Sequence, residues 1–214
     1  MKNIILIGAG GHCKVIIDAI SRGKKFRIAG IIDTKDKIGE KVLSIPVIGT
    51  DADLAAIYKK GVKNCFISVG SVGDSSLRQK LYRKASEIGF AFPNIISKNS
   101  IVSKHASMGC GNFIAPGAIV NAGSVIGNNC IINTGAIVEH DCVIGDFAHI
   151  APGAILSGGD KIGNFAHIGN GASVKQYTTI GNNSIIGTGC IVTKNIGSNT
   201  TYYNRLTEVR KENE

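Results

Sequence analysis

The 214-residue chain contains no tryptophan and only four prolines, and aromatic residues make up 6% of it. No apolar run approaches the ~20 residues that a membrane-spanning helix needs, so we expect no transmembrane segment. None of the six cysteines forms a CxxC pair, which argues against a zinc site or a disulfide framework and favours free thiols. The start, "MKNIILIGAGGH", lacks a small-residue cleavage site, and we expect a cytoplasmic protein.

Negative charge is scarce in the first part of the chain. Residues 1–94 hold 16 Lys and Arg against 8 Asp and Glu, whereas residues 95–214 hold 8 against 7. A basic face on the first part would attract an anionic ligand such as a nucleotide sugar, and a merely solvated surface is the alternative. We do not expect a nucleic-acid partner, because the sequence has neither an aromatic platform nor a long basic run.

The 28 glycines accompany an internal repeat of six residues. Every sixth residue from 96 to 192 is aliphatic: Ile96, Val102, Met108, Ile114, Val120, Ile126, Ile132, Val138, Ile144, Ile150, Leu156, Ile162, Ile168, Val174, Ile180, Ile186 and Val192. The residue four places after each of these is nearly always small, and Cys130, Cys142 and Cys190 occupy this slot. We expect the three cysteines to be buried structural thiols.

A period of six fits neither an α-helix nor one alternating strand, whereas three hexapeptides complete one coil of a triangular prism. The pattern resembles the hexapeptide-repeat, left-handed parallel β-helix, which we assign to residues 95–196, followed by a C-terminal tail over 197–214. The repeat is never interrupted between residues 96 and 192, so we expect no loop to leave the prism.

Residues 1–94 show alternating strand and helix patterns, which predict a small Rossmann-like α/β domain with a parallel sheet. Strands are predicted at "NIILI", at "RIAGII" before Asp33, and at "NCFISVG"; helices are predicted at 11–22, "DADLAAIYKK" and "DSSLRQKLYRKASEIG". The turn with Gly8, Gly10 and Gly11 suits a phosphate, because free N–H groups at a helix start attract anions. Cys13 replaces the third glycine of the dinucleotide fingerprint, so a tight turn without a ligand is the alternative.

The stretch "VEHDC" places His140 beside Asp141 in a region with few charges. Both residues fall at a corner of the predicted prism, where an imidazole accepts a proton at neutral pH and a neighbouring carboxylate fixes its tautomer. The pair is suited to a general base, and a solvated corner pair is the alternative. Gly158 lies one coil of eighteen residues further on, which predicts an open groove above the histidine.

His149 and His167 are also one coil apart, in a different part of the coil from His140. They would approach His140 if prisms packed as trimers, with the site between neighbouring chains. The two histidines lack further ligands at a typical metal spacing, so we expect no metal.

The "GAGGH" turn, the "GIID" strand end and the hexapeptide segment "EHDCVIGDFAHIAPGA" resemble the NeuD/PglD-type sugar acetyltransferases over residues 1 to about 196. The resemblance implies a homotrimer that uses acetyl-CoA to acetylate an amino or hydroxyl group of a sugar, commonly a UDP-linked 4-amino sugar in surface-glycan synthesis. Its implied catalytic residues are His140 as general base and Asp141 as the residue that raises its basicity.

The same resemblance implies two sets of binding residues. Acetyl-CoA contacts fall on His149, Gly158, Asn170, Thr188 and Lys194. Nucleotide-sugar contacts fall on Gly8, Gly10, Gly11, His12, Asp33 and Gly70.

The chain departs from the family pattern in two places. Thr34 stands where a second acid often follows Asp33, and the C-terminus lacks a "GxPAK"-like segment. Arg205, Arg210 or Lys211 are candidates for the CoA phosphates instead. Three alternatives to N-acetylation of a UDP-linked amino sugar stay open. The substrate is a GDP- or dTDP-linked amino sugar, the reaction is O-acetylation of a sialic-acid-like sugar, or the protein is a hexapeptide scaffold or binding protein without catalytic activity.

Overall fold

The computed structural model describes residues 1–204. Its N-terminal part contains β1 (Lys2–Ile7), α1 (Gly11–Gly23), β2 (Phe26–Ile32), a 3-10 turn (Lys35–Lys37), β3 (Lys41–Val42), β4 (Ile45–Gly49), α2 (Leu54–Lys59), β5 (Asn64–Ile67) and α3 (Ser76–Ile88). The sheet order is β3-β4-β2-β1-β5, and only the β3–β4 pair is antiparallel.

The central strand β1 is buried on both faces at Ile4–Ile7, as expected for a parallel strand covered by helices on each side. The predicted α/β class is therefore confirmed. The β3–β4 hairpin was absent from the predicted elements, and α2 is shorter than its amphipathic pattern suggested because Asp53 lies at the N-cap.

From Ile95 onward the chain forms two-residue strands on the three faces of a triangular prism. Face A consists of β7 (Ile101–Val102), β10 (Ile119–Val120), β13 (Ile137–Val138), β16 (Ile155–Leu156), β19 (Ser173–Val174) and β22 (Ile191–Val192). Face B consists of β8 (Ser107–Met108), β11 (Val125–Ile126), β14 (Val143–Ile144), β17 (Lys161–Ile162) and β20 (Thr179–Ile180). Face C consists of β6 (Ile95–Ile96), β9 (Phe113–Ile114), β12 (Ile131–Ile132), β15 (His149–Ile150), β18 (His167–Ile168), β21 (Ile185–Ile186) and β23 (Thr201–Tyr202).

Successive strands on a face pair in parallel with partners eighteen residues apart, as Ile119 with Ile137. The uninterrupted repeat predicted from the sequence is thus confirmed. At the corners from residue 111 to residue 189, every sixth residue has a positive φ, which is why glycine recurs there. These residues are Gly111, Gly117, Gly123, Asn129, Gly135, Asp141, Phe147, Gly153, Gly159, Phe165, Gly171, Tyr177, Asn183 and Gly189.

The aliphatic residues of the repeat fill the prism from Ile114 to Val192, and Cys130, Cys142 and Cys190 are buried as predicted. The first coil differs, because no coil lies beneath it. Ile96 is 44% exposed there, and Val102 and Met108 are half-buried. β23 adds to face C from within the segment 197–214 that the sequence analysis treated as a tail.

Face C carries the N-terminal domain. The outward side chains of Ile95, Phe113 and Ile131 belong to the same buried cluster as Ile4 and Leu6 of β1. Faces A and B are not covered in this way: Ile101 on face A is 64% exposed and Val125 on face B is 46% exposed.

Candidate functional site

A cavity of about 810 Å³ lies at the carboxyl ends of β1 and β2, beside α3. Ligands commonly bind at this edge of a parallel α/β sheet. The cavity is lined by all six residues predicted to bind a nucleotide sugar: Gly8, Gly10, Gly11, His12, Asp33 and Gly70. Leu77 and Leu81 of α3 add an apolar wall, and Lys35 and Lys37 add positive charge.

The glycine turn brings backbone close to this cavity. Gly8 has a φ of 112°, and a Cβ atom there would overlap the backbone nitrogen of Val69 at 2.9 Å. Space around Gly10 and Gly11 is open, since a Cβ atom at either would meet nothing within 4 Å. The turn therefore leaves room for a phosphate near the first turn of α1.

Asp33 is held by four donors from its own domain. Its carboxylate accepts hydrogen bonds from the N–H of Ala9, the N–H and hydroxyl of Thr34, and the ammonium of Lys37 at 3.2 Å. Partial burial opposes ionisation of Asp33, but the hydrogen bonds from Thr34, Ala9 and Lys37 lower its pKa overall. Thr34, the departure from the family pattern, therefore anchors Asp33 and does not supply a second carboxylate.

His12 lies between the cavity and the prism. Its ring packs edge-on against Phe113 at a centroid distance of 5.4 Å, and its buried Nε2 atom has no hydrogen-bond partner within residues 1–204. Burial and the positive charge of Arg78 lower the pKa of His12 to about 4. His12 therefore forms part of the cavity wall as a neutral imidazole.

His140 and Asp141 meet at the A–B corner, the corner between faces A and B. The Nδ1 atom of His140 lies 2.9 Å from Oδ2 of Asp141, and both side chains are exposed. Asp141 is the positive-φ residue of this corner, a conformation that aspartate tolerates better than most residues. Because a carboxylate only accepts, Nδ1 carries the proton and Nε2 keeps a free lone pair.

Gly158 lies one coil further along the prism and faces this imidazole. A Cβ atom on Gly158 would lie 2.6 Å from both Cε1 and Nε2 of His140. The expectation of an open groove at this glycine is corrected: Gly158 is buried, and the imidazole itself fills the space. Its predicted contact with the pantetheine arm stays a prediction.

His149 is buried under the N-terminal domain. Its Nδ1 atom donates to the carbonyl of Ser71, and its Nε2 atom accepts from the side-chain amide of Asn133 at 3.0 Å. Burial, with smaller effects from His167 and other neighbours, lowers the pKa of His149 to about 3. His149 is therefore neutral in a fixed tautomer, with its ring edge-on to His167 at 4.9 Å.

The predicted acetyl-CoA residues fall at opposite edges of face A. Gly158 and Lys194 share the A–B corner column with His140, at steps of eighteen residues. Asn170 and Thr188 are stacked at the C–A corner, the corner between faces C and A, where both are exposed. Within one chain, Gly158 and Lys194 therefore lie apart from Asn170 and Thr188.

Three residues of this region were missed by the sequence analysis. Asn133 at the C–A corner, Ser71 after β5, and Arg78 on α3 all contact the domain boundary. Nothing in the local sequence marks them, because their partners lie 16, 78 and 51 residues away.

Two further properties concern the described part of the chain. Among residues 1–204 no three His, Cys, Asp or Glu side chains are grouped so as to hold a metal ion. No helix in residues 1–204 has the length and apolarity needed to cross a membrane. The candidates Arg205, Arg210 and Lys211 lie outside the described residues.

Fold and site together define a hexapeptide-repeat protein with an α/β domain, which contains the cavity, on one face of the prism. Residues 3–85 match the family model "PglD N-terminal domain", and residues 123–158 match "Bacterial transferase hexapeptide (six repeats)". A UDP-N-acetylbacillosamine N-acetyltransferase of Bacillus subtilis is 37% identical over 114 residues, which cover 53% of this chain and 51% of that protein. The chain thus spans about half the length of this curated relative.

Two solved structures resemble almost the whole chain. PerB from Caulobacter crescentus, in complex with CoA and GDP-perosamine, is 37% identical with a TM-score of 0.87, covering 94% of this chain and 93% of that one. The acetyltransferase domain of PglB from Neisseria gonorrhoeae, in complex with acetyl coenzyme A, is 34% identical with a TM-score of 0.85, covering 94% and 95%.

The chain therefore belongs to the NeuD/PglD-type family of hexapeptide-repeat sugar acetyltransferases. The family prediction made from the sequence is confirmed, and so is the fold class of a Rossmann-like domain followed by a left-handed parallel β-helix.

Proposed function

We propose that the protein transfers the acetyl group of acetyl-CoA to the amino group of a nucleotide-linked 4-amino sugar, for surface-glycan synthesis. The observation that carries this proposal is the His140–Asp141 pair, because it presents a free Nε2 lone pair on a fold shared with acetyltransferases. The cavity in the N-terminal domain supplies a place for the nucleotide.

In the proposed reaction the sugar amine attacks the thioester carbonyl directly, so no acyl-enzyme forms. His140 removes the proton from the attacking nitrogen, and Asp141 stabilises the imidazolium that results. The new amide bond forms as the carbon–sulfur bond breaks, and the imidazolium returns the proton to the sulfur, so that CoA leaves as the thiol. Cys142 takes no part, because its thiol is buried and burial raises its pKa to about 11.

We propose that the active unit is a homotrimer in which face A meets a second copy. The outward residues of face A are Ile101, Ile119, Ile137, Ile155, Ser173 and Ile191, and this isoleucine column is more apolar than face B, which carries Lys161 and Thr179. Packing on face A would bring the A–B corner of one chain towards the C–A corner of the next. His140 would then approach Asn170, Thr188 and the Asn133–His149 pair of a neighbouring chain.

The nucleotide is proposed to be UDP, as in the name of the Bacillus subtilis relative. GDP is the second candidate, because the PerB structure contains GDP-perosamine. Whichever base is bound, the diphosphate is proposed to lie at Gly10 and Gly11 near Lys35 or Lys37. The cytoplasmic location expected from the sequence stays a prediction.

A substrate panel tests the proposal. Purified protein is mixed with acetyl-CoA and each of the UDP-, GDP- and dTDP-linked 4-amino sugars, and with free sialic acid, while thiol release and product mass are recorded. We expect one nucleotide amino sugar to gain one acetyl group that resists hydroxylamine. A hydroxylamine-labile product from sialic acid would replace N-acetylation by O-acetylation, and no thiol release with any acceptor would favour a non-catalytic scaffold.

A further inference from the structure

Arg78 is a buried arginine with no carboxylate partner among residues 1–204. It is 1% exposed and lies near the start of α3. Burial lowers its pKa to about 10, so it remains charged at neutral pH. Taking an ion out of water costs several kcal/mol, and an apolar side chain of similar volume would fill the same space without that cost. Packing alone therefore does not explain an arginine here.

The guanidinium donates to main-chain carbonyls of both domains. Nη1 donates to the carbonyl of Ile67, the last residue of β5, at 3.2 Å. It also donates to the carbonyl of Val69, which lines the nucleotide cavity. Nη2 donates to the carbonyl of Asn129 at 2.9 Å, and Asn129 is a positive-φ corner residue of the prism. A planar fork with several donors spans such separate acceptors, which a lysine ammonium does not.

The same wall is fastened to the prism at a second point. Ser71, two residues after Val69, accepts the hydrogen bond from His149 on face C. Between them, Gly70 lies against His12, since a Cβ atom on Gly70 would be 3.5 Å from Cβ of His12. Residues 69–71, the pocket wall, are thus held on the prism on both sides of Gly70.

We propose that Arg78 is a positioning residue, which fixes the pocket wall on the prism and so sets where a bound nucleotide sugar presents its amine to the acetyl donor. This inference rests on the proposed function. Acyl transfer requires the reacting atoms to lie within about 3–3.5 Å, and a misplacement of about 1 Å costs roughly 100-fold in rate. Arg78 would therefore act on the rate of transfer and not on the affinity for either substrate alone.

The test compares Arg78→Met, Arg78→Lys and, as a matched control, Arg83→Met, which removes an exposed arginine from the same helix. The unfolding midpoint of each protein is measured first. The affinities for UDP and CoA and kcat with the best amino sugar are then measured at a temperature well below that midpoint. Deuterium exchange of the amides at 69–73 is measured on the same samples.

We expect Arg78→Met to lower kcat by about 100-fold and Arg78→Lys by about 10-fold, with both ligand affinities within about threefold of wild type. Exchange at 69–73 should rise in both variants, and Arg83→Met should match wild type throughout. If Arg78→Met does not fold, Arg78→Lys, which keeps the charge and most of the volume, carries the test.

A folded Arg78 variant with unchanged kcat, or with unchanged exchange at 69–73, would overturn the proposal. So would a loss of UDP affinity that equals the loss of kcat, because it would make Arg78 part of nucleotide binding. If the wild type acetylates none of the sugars, the proposed function fails, whereas the exchange measurement still decides whether Arg78 holds the pocket wall.

Discussion

The imidazole of His140 occupies the space that a Cβ atom on Gly158 would need. His140 and Gly158 lie in successive coils at the A–B corner. Because Gly158 has no side chain, the imidazole of His140 can take this position. The hydrogen bond to Asp141 fixes the other edge of the same ring. Together these two contacts hold Nε2 in a defined direction.

Gly158→Ala should therefore displace the imidazole without unfolding the prism. The new methyl group would lie 2.6 Å from Cε1 and Nε2, closer than packed atoms approach. We expect kcat to fall about 10- to 100-fold while the circular dichroism spectrum is unchanged. Gly23→Ala at the end of α1, where a Cβ atom meets nothing within 4 Å, is the control. A Gly158→Ala enzyme as fast as wild type would show that the ring position is not important for transfer.

Ile137→Lys should separate the proposed trimer. Ile137 lies in the middle of the isoleucine column on face A and is half-buried already in one chain. A lysine there would have to be desolvated on assembly, which is costly without a partner charge. Light scattering coupled to size-exclusion chromatography should report monomers with little activity.

The control for that experiment is Val125→Lys on face B, where the valine is 46% exposed. We expect this variant to remain a trimer. Dissociation of Val125→Lys with an intact Ile137→Lys trimer would place the interface on face B instead.

Buried neutral histidines predict a loss of stability in acid. The pKa of His12 is lowered to about 4 and that of His149 to about 3, chiefly by burial, from the ordinary value of 6.5. Between pH 6.5 and about 4, His12 and His149 bind protons in the unfolded chain but remain neutral in the folded chain. The free energy of unfolding should thus fall by about 1.4 kcal/mol per pH unit for each histidine.

Chemical denaturation at several pH values checks this slope. His12→Asn should reduce this slope by about 1.4 kcal/mol per pH unit, because the unfolded chain then has one fewer histidine that takes up a proton. His105→Asn is the control, since His105 is exposed. Equal slopes for His12→Asn and wild type would contradict the proposed burial of a neutral His12.

Asp160 is an acid inside the prism, in a slot where a neutral residue would fit better. Its Oδ1 atom accepts from the N–H of Thr178 at 2.9 Å, but its buried Oδ2 atom has no hydrogen-bond partner in the described part of the chain. Asn112 occupies the same position of the hexapeptide repeat at a different corner, the corner between faces B and C. It accepts from Cys130, eighteen residues on, and donates from Nδ2 to the carbonyl fifteen residues on. For position 160, the carbonyl fifteen residues on is that of Lys175, which an asparagine side chain could reach in the same way.

Asp160→Asn should therefore stabilise the protein at pH 8 by about 1–3 kcal/mol, by adding the missing donor. Burial, only partly offset by hydrogen bonds, raises the pKa of Asp160 to about 6. The wild type loses stability as pH rises from the ordinary value of 3.8 through 6, so the advantage of the variant should shrink towards pH 4. Asn112→Asp should show the opposite change at pH 8. Destabilisation by Asp160→Asn at pH 8 would contradict this account.

The sequence was sufficient to predict the prism because each hexapeptide repeats the same demand for one buried aliphatic residue. An error in register would expose all of these residues at once. Such patterns do not show where an end is uncovered, so the exposure of Ile96 was missed. The polar slot residue Asp160 was also missed, since nothing in the repeat marks a side chain that lacks a donor.

Contacts between the domains were the least predictable part of the site. Arg78 lies in a helix with an amphipathic pattern, in which an arginine ordinarily reaches solvent, and only the packing of α3 on the prism buries it. The contact of His149 with acetyl-CoA stays a prediction. Its bond to Ser71 was not predictable, because it joins segments that the sequence does not relate. By contrast, His140 and Asp141 are neighbours in sequence, and a corner of known geometry was enough to predict that they meet.

The most direct test of the proposed chemistry compares thiol release from acetyl-CoA by wild type and His140→Asn, using the amino sugar that the panel identifies. Affinities for CoA and the nucleotide sugar are measured on both proteins to separate binding from transfer. Our account predicts that His140→Asn binds both ligands and loses at least about 100-fold in kcat, because no base accepts the proton of the amine. A folded His140→Asn enzyme that transfers acetyl groups at the wild-type rate would contradict it.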